Sequence, residues 1–285
     1  MLNFRYHALS LVAVFLSLAI GLLLGVAIGD KGLVSSAEHD VRASLRHDVR
    51  NAQAERDAAR AQLEERQRFE EDAYPALVGG RLPGKRIALI ELGGSSDRMW
   101  NLTKAALQGS GAQLVSVSVI REPLRTSDLA ADAHGTRYER LVEEPSLLHA
   151  FGTRLGIQFT QGGALLDAVR QDLLQQGSGT LAGADGIVIV RSTPQLPKAA
   201  GDQVDTFEDG LVRGLSAHAV PVVGIETSDA EISQIGWFKS HELSSVDDVD
   251  DTIGRAALVY ALAGERGSFG VKATADGGRL PPLLQ

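Results

Sequence analysis

The sequence predicts an α/β protein in three parts: a membrane-spanning helix, a long helical stalk and a domain built on a mostly parallel sheet. Three observations lead to this fold class. An apolar run lies near the N-terminus, a polar segment without glycine or proline follows it, and short β-branched runs then alternate with helical stretches. Of the 285 residues, 44% are hydrophobic and 22% charged, which is typical of a folded protein.

The first element is the uncharged run at residues 8–28, which as a helix is long enough to cross roughly 30 Å of hydrocarbon. Arg5, His7 and the amino terminus precede this run, whereas Asp30 and Lys31 follow it. The bias in positive charge predicts that residues 1–29 form a cytoplasmic N-terminus with its anchor, and that the rest is extracytoplasmic. A cleaved signal peptide is the competing interpretation, because small residues at the end of the run resemble a cleavage site. The length of the run favours a retained anchor.

Small residues occupy every fourth position along one face of this helix: Ala13, Ser17, Gly21, Gly25 and Gly29. Such a face lets the backbone of a second helix approach closely, so we expect the anchor to form a homodimer. The alternative is that glycine and alanine are simply common in membrane helices.

The stalk, predicted at 30–74, is rich in alanine, arginine, glutamate and glutamine, which favour one long helix of about 60 Å. A loosely kept heptad forms a seam along it, consisting of Val34, Val41, Leu45, Val49, Ala52, Ala59 and Leu63. We expect this stalk seam to pair as a coiled coil and to support the same homodimer as the anchor. A solvated single helix is the alternative. Pro75 is expected to end the helix, and glycine and proline at 75–84 predict a hinge.

The extracytoplasmic α/β domain is predicted at 85–270, before a polar, proline-containing tail at 271–285. Strands are expected at 86–92, 113–120, 186–191 and 220–226, and helices at 97–108, 163–176, 199–217 and 247–264. Short β-branched strands separated by helices predict a parallel, helix-covered sheet with flavodoxin-like or Rossmann-like layering.

In such sheets, ligands bind beyond the carboxyl ends of the strands. The turns expected there are small and polar and suit anion contacts; they give the candidate cofactor-binding residues Gly93, Gly94, Ser95, Ser96, Ser192 and Thr193, with Glu226, Thr227 and Ser228 after the last strand. No glycine-rich phosphate motif and no catalytic signature is present, so we predict a protein that is not an enzyme. The acidic run at 247–251 is expected to begin a helix rather than to bind calcium.

Charge and cysteine content exclude several classes of function. Lysine and arginine total 28 against 36 acidic residues, and the net charge of −8 disfavours nucleic acid as a partner. The chain has no cysteine, which excludes disulfides, thiolate zinc sites and a cysteine nucleophile.

The order of these elements resembles the actinobacterial copper-transport outer-membrane protein family, MctB. The resemblance covers nearly the whole chain and rests on the opening FRYH, the helix ending GLLLGVAIG, the alanine- and arginine-rich stalk, the RIALIEL strand and the closing GRAALVYALAGERGSFGVKATADGGRLPP. It implies a role in copper homeostasis or efflux. Relatives also resemble proteins of envelope and septum maintenance, which implies an envelope protein partner that contacts the coiled coil.

The side chains themselves do not predict a copper site or a pore. Copper(I) prefers thiolates and thioethers, whereas copper(II) favours imidazole. The methionines are Met1 and Met99 alone, and the seven histidines lack metal-ligand spacing: His7, His39, His47, His134, His149, His218 and His241. Copper is therefore implied by the resemblance only. Two functions remain open: a component of copper homeostasis, or a dimeric coiled-coil scaffold acting on a cell-wall or septum partner.

Overall fold

The computed structural model describes residues 4–28, 31–179, 182–193 and 195–282, with side chains described from Tyr6 to Ala27 and from residue 39 onward within those ranges. The chain divides into two compact units, Met1–Arg66 and Gln67–Gln285.

The first unit contains the predicted anchor and most of the stalk. Helix α1 spans Phe4–Ile28, and within it Tyr6–Ala27 has a mean hydropathy of 2.6 with no residue buried inside the protein. By length and composition this segment is sufficient to cross a membrane, which fits the predicted anchor. Helix α2 starts at Lys31 and continues into the second unit, where it ends at Val78.

The prediction that the stalk helix ends before Pro75 is wrong. Pro75 lies inside α2, and its carbonyl oxygen accepts a hydrogen bond from Gly79 N at 2.9 Å. Proline removes one donor from the helix, but Tyr74 and Val78 on the same turn are buried in the core of the second unit. That burial stabilises the last turn despite the missing hydrogen bond.

Residues 75–84, predicted as a hinge, lie in the second unit, where Val78 and Leu82 are buried and most of the other residues are exposed. Leu82 is buried, and its backbone N–H donates to Ser110 O at 2.9 Å. Gly84 N donates to Gly111 O at the same distance, so glycine and proline here shape a fixed turn rather than a flexible joint.

Seven strands in the described residues form one sheet of order β3-β2-β1-β4-β5-β6-β7. They are β1 Arg86–Leu92, β2 Gln113–Ile120, β3 Leu174–Ser178, β4 Gly186–Arg191, β5 Val222–Ile225, β6 Ser244–Val246 and β7 Ser268–Phe269. The pairing is parallel throughout this sheet except between β2 and β3. The predicted α/β class with a mostly parallel sheet is confirmed.

Helices cover both faces of the sheet. They are α3 Asp97–Leu107, α4 Thr126–Asp132, α5 Leu147–Gln161, α6 Ala164–Leu173, α7 Lys198–Leu215, α8 Ile235–Ser240 and α9 Thr252–Leu262, with a 3₁₀ helix at Arg137–Arg140. One core lies between the sheet and α5 to α7, around Phe151 and Phe207. The other lies between the sheet and α3 and α9, around Leu89 and Leu258.

Two predicted helices have different limits in the structure. Helix α6 ends at Leu173, and the residues after it form the antiparallel edge strand β3, so the helix predicted through Gln176 is wrong there. Helix α9 begins at Thr252 rather than at 247, because the Asp251 side chain accepts from Ile253 N and caps the helix at that point.

Candidate functional site

The turns after β1 and β4 contact each other directly. Gly93 has a φ of +86°, and a side chain there would collide with the backbone of Ser192. Ser192 donates from its N–H and its Oγ to Leu92 O, at 2.9 and 3.1 Å. The hydroxyl of Ser192 is thus used to join the two turns, while Thr193 is exposed beside it.

The N-terminus of α3 is occupied by a carboxylate of the chain itself. Ser96 caps the helix through its Oγ, which accepts from Met99 N, and its own N–H donates to Glu91 Oε2 at 2.9 Å. Burial raises the pKa of Glu91, and the hydrogen bond from Ser96 opposes that rise. Because a carboxylate already lies there, the turn from Gly93 to Ser96 does not favour the anion contacts that its composition predicted.

Arg191, the last residue of β4, is surrounded by acceptors. Its guanidinium donates to Glu208 at 2.8 Å, to Asp205 at 2.8 Å and to Gln234 at 2.6 Å. The same group lies 4.6 Å from the centroid of the Trp237 ring. These contacts hold the end of β4 to the neighbouring helices, and composition did not predict them because their partners are far apart in the sequence.

Glu122 and Glu208 form a carboxyl pair beside this arginine. Burial raises the pKa of Glu208 to about 8, which outweighs the opposing effect of Arg191, and Glu122 adds to the rise. Burial likewise raises the pKa of Glu122. The raised pKa values favour retention of a proton by this carboxyl pair.

The end of β5 is also closed by contacts within the chain. Glu226 accepts from Ser233 Oγ at 2.7 Å and from Lys272 Nζ at 2.6 Å. Ser228 donates from N and Oγ to the Asp250 carboxylate, both at 2.8 Å. These polar groups are used to fix loops to one another.

The four acidic side chains at 247–251 point to different partners. Asp247 accepts from the backbone N–H of Val271 and Lys272, at 2.8 and 3.0 Å. Asp248 is buried and pairs with Arg279 at 3.1 Å; burial raises its pKa to about 6. With Asp250 on Ser228 and Asp251 capping α9, these carboxylates bind the chain itself rather than converging on a cation.

The soft and imidazole donors are dispersed. Met99 is buried in the core against α3 and α9, and Met1 lies outside the described residues. His134 faces Glu139, and His241 faces Asp209 at 2.8 Å. Among the residues that the structure describes, three or more metal-binding side chains do not come together anywhere.

The predicted dimer surfaces lie in the first unit. On α1, Ser17, Gly21 and Gly25 line a groove of about 600 Å³, whereas Gly29 lies outside the described residues. Ala13, on the same face, is exposed. The side chains of the stalk seam are exposed at Val41, Leu45, Val49, Ala52, Ala59 and Leu63, and that of Val34 lies outside the described part of the chain.

The fold, together with one candidate membrane span, defines a class of protein: an α/β domain that follows a long helix and an apolar N-terminal helix. Comparison with known proteins gives the family. The family model described as "Copper transport outer membrane protein, MctB" matches residues 1–279. The chain belongs to this family.

Curated relatives are similar over nearly their whole length. The copper transporter MctB of Mycobacterium tuberculosis is 27% identical over an alignment of 304 positions, which covers 92% of each chain. The copper transporter MctB of Mycobacterium leprae is 25% identical over an alignment of 321 positions, which covers 95% of this chain and 96% of the relative. The family and the apolar helix together fit a membrane-anchored envelope protein.

Proposed function

We propose that this protein serves copper homeostasis as a membrane-anchored homodimeric scaffold that works by binding, without turnover. The copper role comes from the family, whose members are named copper transporters. The observation that carries the scaffold is the stalk seam: Leu45 and Val49 are 57% and 54% exposed on a long helix, and apolar side chains at this spacing favour pairing with a second helix.

The arrangement of the strand ends supports binding over catalysis. In the α/β fold, catalytic and cofactor-binding groups usually lie at this edge of the sheet. Here Arg191, Glu226 and Asp247 are engaged by partners from the same chain. Their contacts stabilise the domain and leave the exposed surfaces of α1 and α2 as the part suited to assembly.

Copper chemistry supports a role other than a tight copper(I) carrier. The chain has no cysteine, and Met99 is buried away from solvent. Titration of the purified full-length protein with copper(I) and copper(II) tests this point. We expect no binding tighter than micromolar; a tighter site would assign copper carriage to the chain itself.

We further propose that the N-terminus is cytoplasmic and the second unit extracytoplasmic. Arg5 and His7 at the start of α1, ahead of the uncharged run at 8–28, support this orientation. Ser35→Cys provides a reporter in a chain with no other cysteine, and an impermeant maleimide should label it in intact cells. Labelling only after lysis would reverse the proposed topology.

The second candidate is an envelope scaffold without a copper role, acting on a cell-wall or septum protein through the stalk. The exposed stalk seam supports this candidate equally, because pairing of the stalk would serve either function. Leu45→Asp distinguishes the two: this candidate expects loss of envelope integrity with unchanged copper tolerance, whereas the proposed function expects copper tolerance to fall.

A further inference from the structure

A cavity of about 290 Å³ lies in the second unit between the start of α3 and the edge strand β3. One side of the cavity is formed by residues that pair across three neighbouring strands. Glu91 on β1 pairs with Val119 on β2, and Val119 pairs with Gln176 on β3. Val117 and Ser178 form the next pair on the same face of the sheet. The wall is the turn from Ser95 to Trp100.

Glu91 supplies a buried acceptor to this cavity. The residue is 2% exposed, and Oε2 is fixed by the N–H of Ser96. Oε1 has no hydrogen-bond partner anywhere in the part of the chain that the structure describes. Leaving a buried carboxyl oxygen unpaired is costly, so a ligand hydroxyl that reaches Oε1 through a local shift of the turn at Ser95 and Ser96 would relieve a cost already present in the fold.

The opposite side of the cavity offers a ring and further polar groups. Trp100 is 38% exposed, with Lys104 Nζ over its ring at 5.2 Å from the centroid, and the indole gives an apolar surface at the rim. Gln176 and Ser178 are exposed on the edge strand and provide an amide and a hydroxyl. A sugar ring has the matching chemistry, with C–H groups on its face and hydroxyl groups around its edge.

The charge of the cavity selects against anions. Glu91 lies close enough to Asp97 for the two carboxyl groups to interact electrostatically, and both line the cavity. A phosphate or uronate would meet these groups in a partly buried setting, where repulsion is strong. The volume is at the lower limit of small-molecule sites, which suits one or two rings rather than a nucleotide.

We propose that this cavity binds a neutral saccharide or a related polyhydroxy compound, with Glu91 and Gln176 as hydrogen-bonding groups and Trp100 as the stacking surface. The inference is independent of the copper role. Of the residues that line this cavity, only Ser95 and Ser96 were candidates from the sequence. Gln176 was predicted to lie in a helix, and Ser178 was not assigned to a strand.

Saturation-transfer difference NMR on the full-length chain in lipid nanodiscs tests this proposal, since nanodiscs avoid detergents with sugar headgroups. The probes are glucose, galactose and N-acetylglucosamine, with glucuronate as the anionic comparison. We expect saturation transfer at millimolar concentration to at least one neutral sugar, and binding of glucuronate at least about tenfold weaker than that of glucose. Absence of transfer to all neutral sugars would overturn the proposal.

Variants locate the binding. Trp100→Ala and Gln176→Ala change exposed side chains and should each weaken binding at least about tenfold. Gln113→Ala is the matched control, because Gln113 is an exposed glutamine at the far end of the neighbouring strand β2. Glu91→Gln should also weaken binding, and circular dichroism checks that it folds. Wild-type binding in both Trp100→Ala and Gln176→Ala would place the sugar elsewhere and contradict the assignment, whether or not the Glu91 variant folds.

Discussion

The two compact units of this protein differ in how far their apolar side chains are buried. In Met1–Arg66, the large apolar side chains that the structure describes are exposed on both helices, from Leu9 on α1 to Leu63 on α2. In Gln67–Gln285, buried apolar side chains form two cores, and buried acidic groups such as Glu226 have partners within the unit. We therefore expect the first unit to depend on a membrane and on a second helix for its burial, whereas the second is stabilised by its own contacts.

Because of this difference, changes in the two units should have separable effects on folding and on association. A change in the second unit should alter the free energy of unfolding, because its contacts are internal. A change on the exposed faces of the first unit should alter association and leave the folding of the second unit intact.

The largest effect is expected from Arg191→Ala. This change removes the hydrogen bonds of the Arg191 guanidinium to Glu208, Asp205 and Gln234 and its stacking on Trp237. We expect the free energy of unfolding to fall by about 3–5 kcal/mol in urea titrations followed by tryptophan fluorescence, because several buried polar groups lose their partners at once. The control is Arg98→Ala, whose ion pair with Asp229 is solvent-exposed and should matter little. Similar stability of both variants would show that the Arg191 cluster does not hold the domain together.

The next effect concerns pH. The folded chain retains a proton on Glu208 up to a pKa of about 8, whereas the unfolded chain releases it near the ordinary value of 4.5. Stabilisation from this group is therefore complete below about pH 4.5 and is lost as pH rises through about 8. We expect the unfolding free energy of the wild type to fall by no more than about 5 kcal/mol across this window.

Glu208→Gln isolates the contribution of that carboxyl group. Glutamine keeps an acceptor for Arg191 but does not titrate, so most of the decline in stability with pH should disappear. Asp248, with a pKa raised to about 6 by burial, gives a smaller decline of the same sign at lower pH. An unchanged pH profile in the Glu208→Gln variant would show that the carboxyl pair is not the source.

A smaller effect, confined to association, is expected from the stalk seam. Leu45→Asp and Val49→Asp place a carboxylate in the pairing surface and should raise the dimer dissociation constant at least about tenfold, or about 1.4 kcal/mol. Ala54→Asp lies off the seam and is the matched control. Sedimentation equilibrium of the full chain measures the dimer fraction, and equal values for all variants would refute pairing through the seam.

Substitutions on the small-residue face of α1 test in the same way whether the anchor takes part in dimerisation. No neighbouring atom lies within 4 Å of a Cβ added at Gly21 or Gly25 among the described residues, so isoleucine fits the single chain. Weaker dimerisation of Gly21→Ile or Gly25→Ile would then report on a second helix rather than on misfolding. Dimerisation equal to that of the wild type would remove α1 from the interface.

The smallest effect is expected at the end of α2. Tyr74 is buried, and its Oη donates to Ala106 O at 2.5 Å. Tyr74→Phe should cost about 1 kcal/mol of unfolding free energy. No loss of stability would favour the hinge that was predicted after Tyr74 over the packed turn that the structure shows.

The sequence predicted strands where apolar runs are long and missed them where they are short or polar. β1, β4 and β5 are buried over nearly their whole length between helices, so their sequences are largely apolar, and β2 alternates its apolar residues with serine. The edge strand LQQGS is exposed beyond its first residue, and its polar sequence gives no strand pattern. β6 and β7 have three and two residues, too few to show a period.

Helix α5 was missed because glycine obscures it. Gly152 and Gly156 lower its helix propensity, but they lie where a side chain would collide with the backbone of α7. Gly210 and Gly214 make the same close approach from α7. Packing between these two distant segments stabilises α5, and the local sequence gives no sign of that packing.

The candidate site was predictable in location but not in chemistry. The carboxyl ends of β1 and β4 follow from the strand pattern, and the structure places Gly93 against Ser192 there. A single acidic residue inside the apolar run RIALIEL was the available signal for Glu91. Its pairing with Ser96 and its place beside Gln176 depend on the turn and on β3, which the sequence did not resolve.

The most direct test of the proposed function is copper tolerance in cells that lack this protein. These cells are complemented with the wild type, with Leu45→Asp or with Ala54→Asp, at equal membrane levels checked by immunoblot. The account predicts that wild type and Ala54→Asp restore growth at elevated copper, and that Leu45→Asp does not although its second unit is folded. Full restoration of copper tolerance by Leu45→Asp would contradict a role that depends on pairing through the stalk seam.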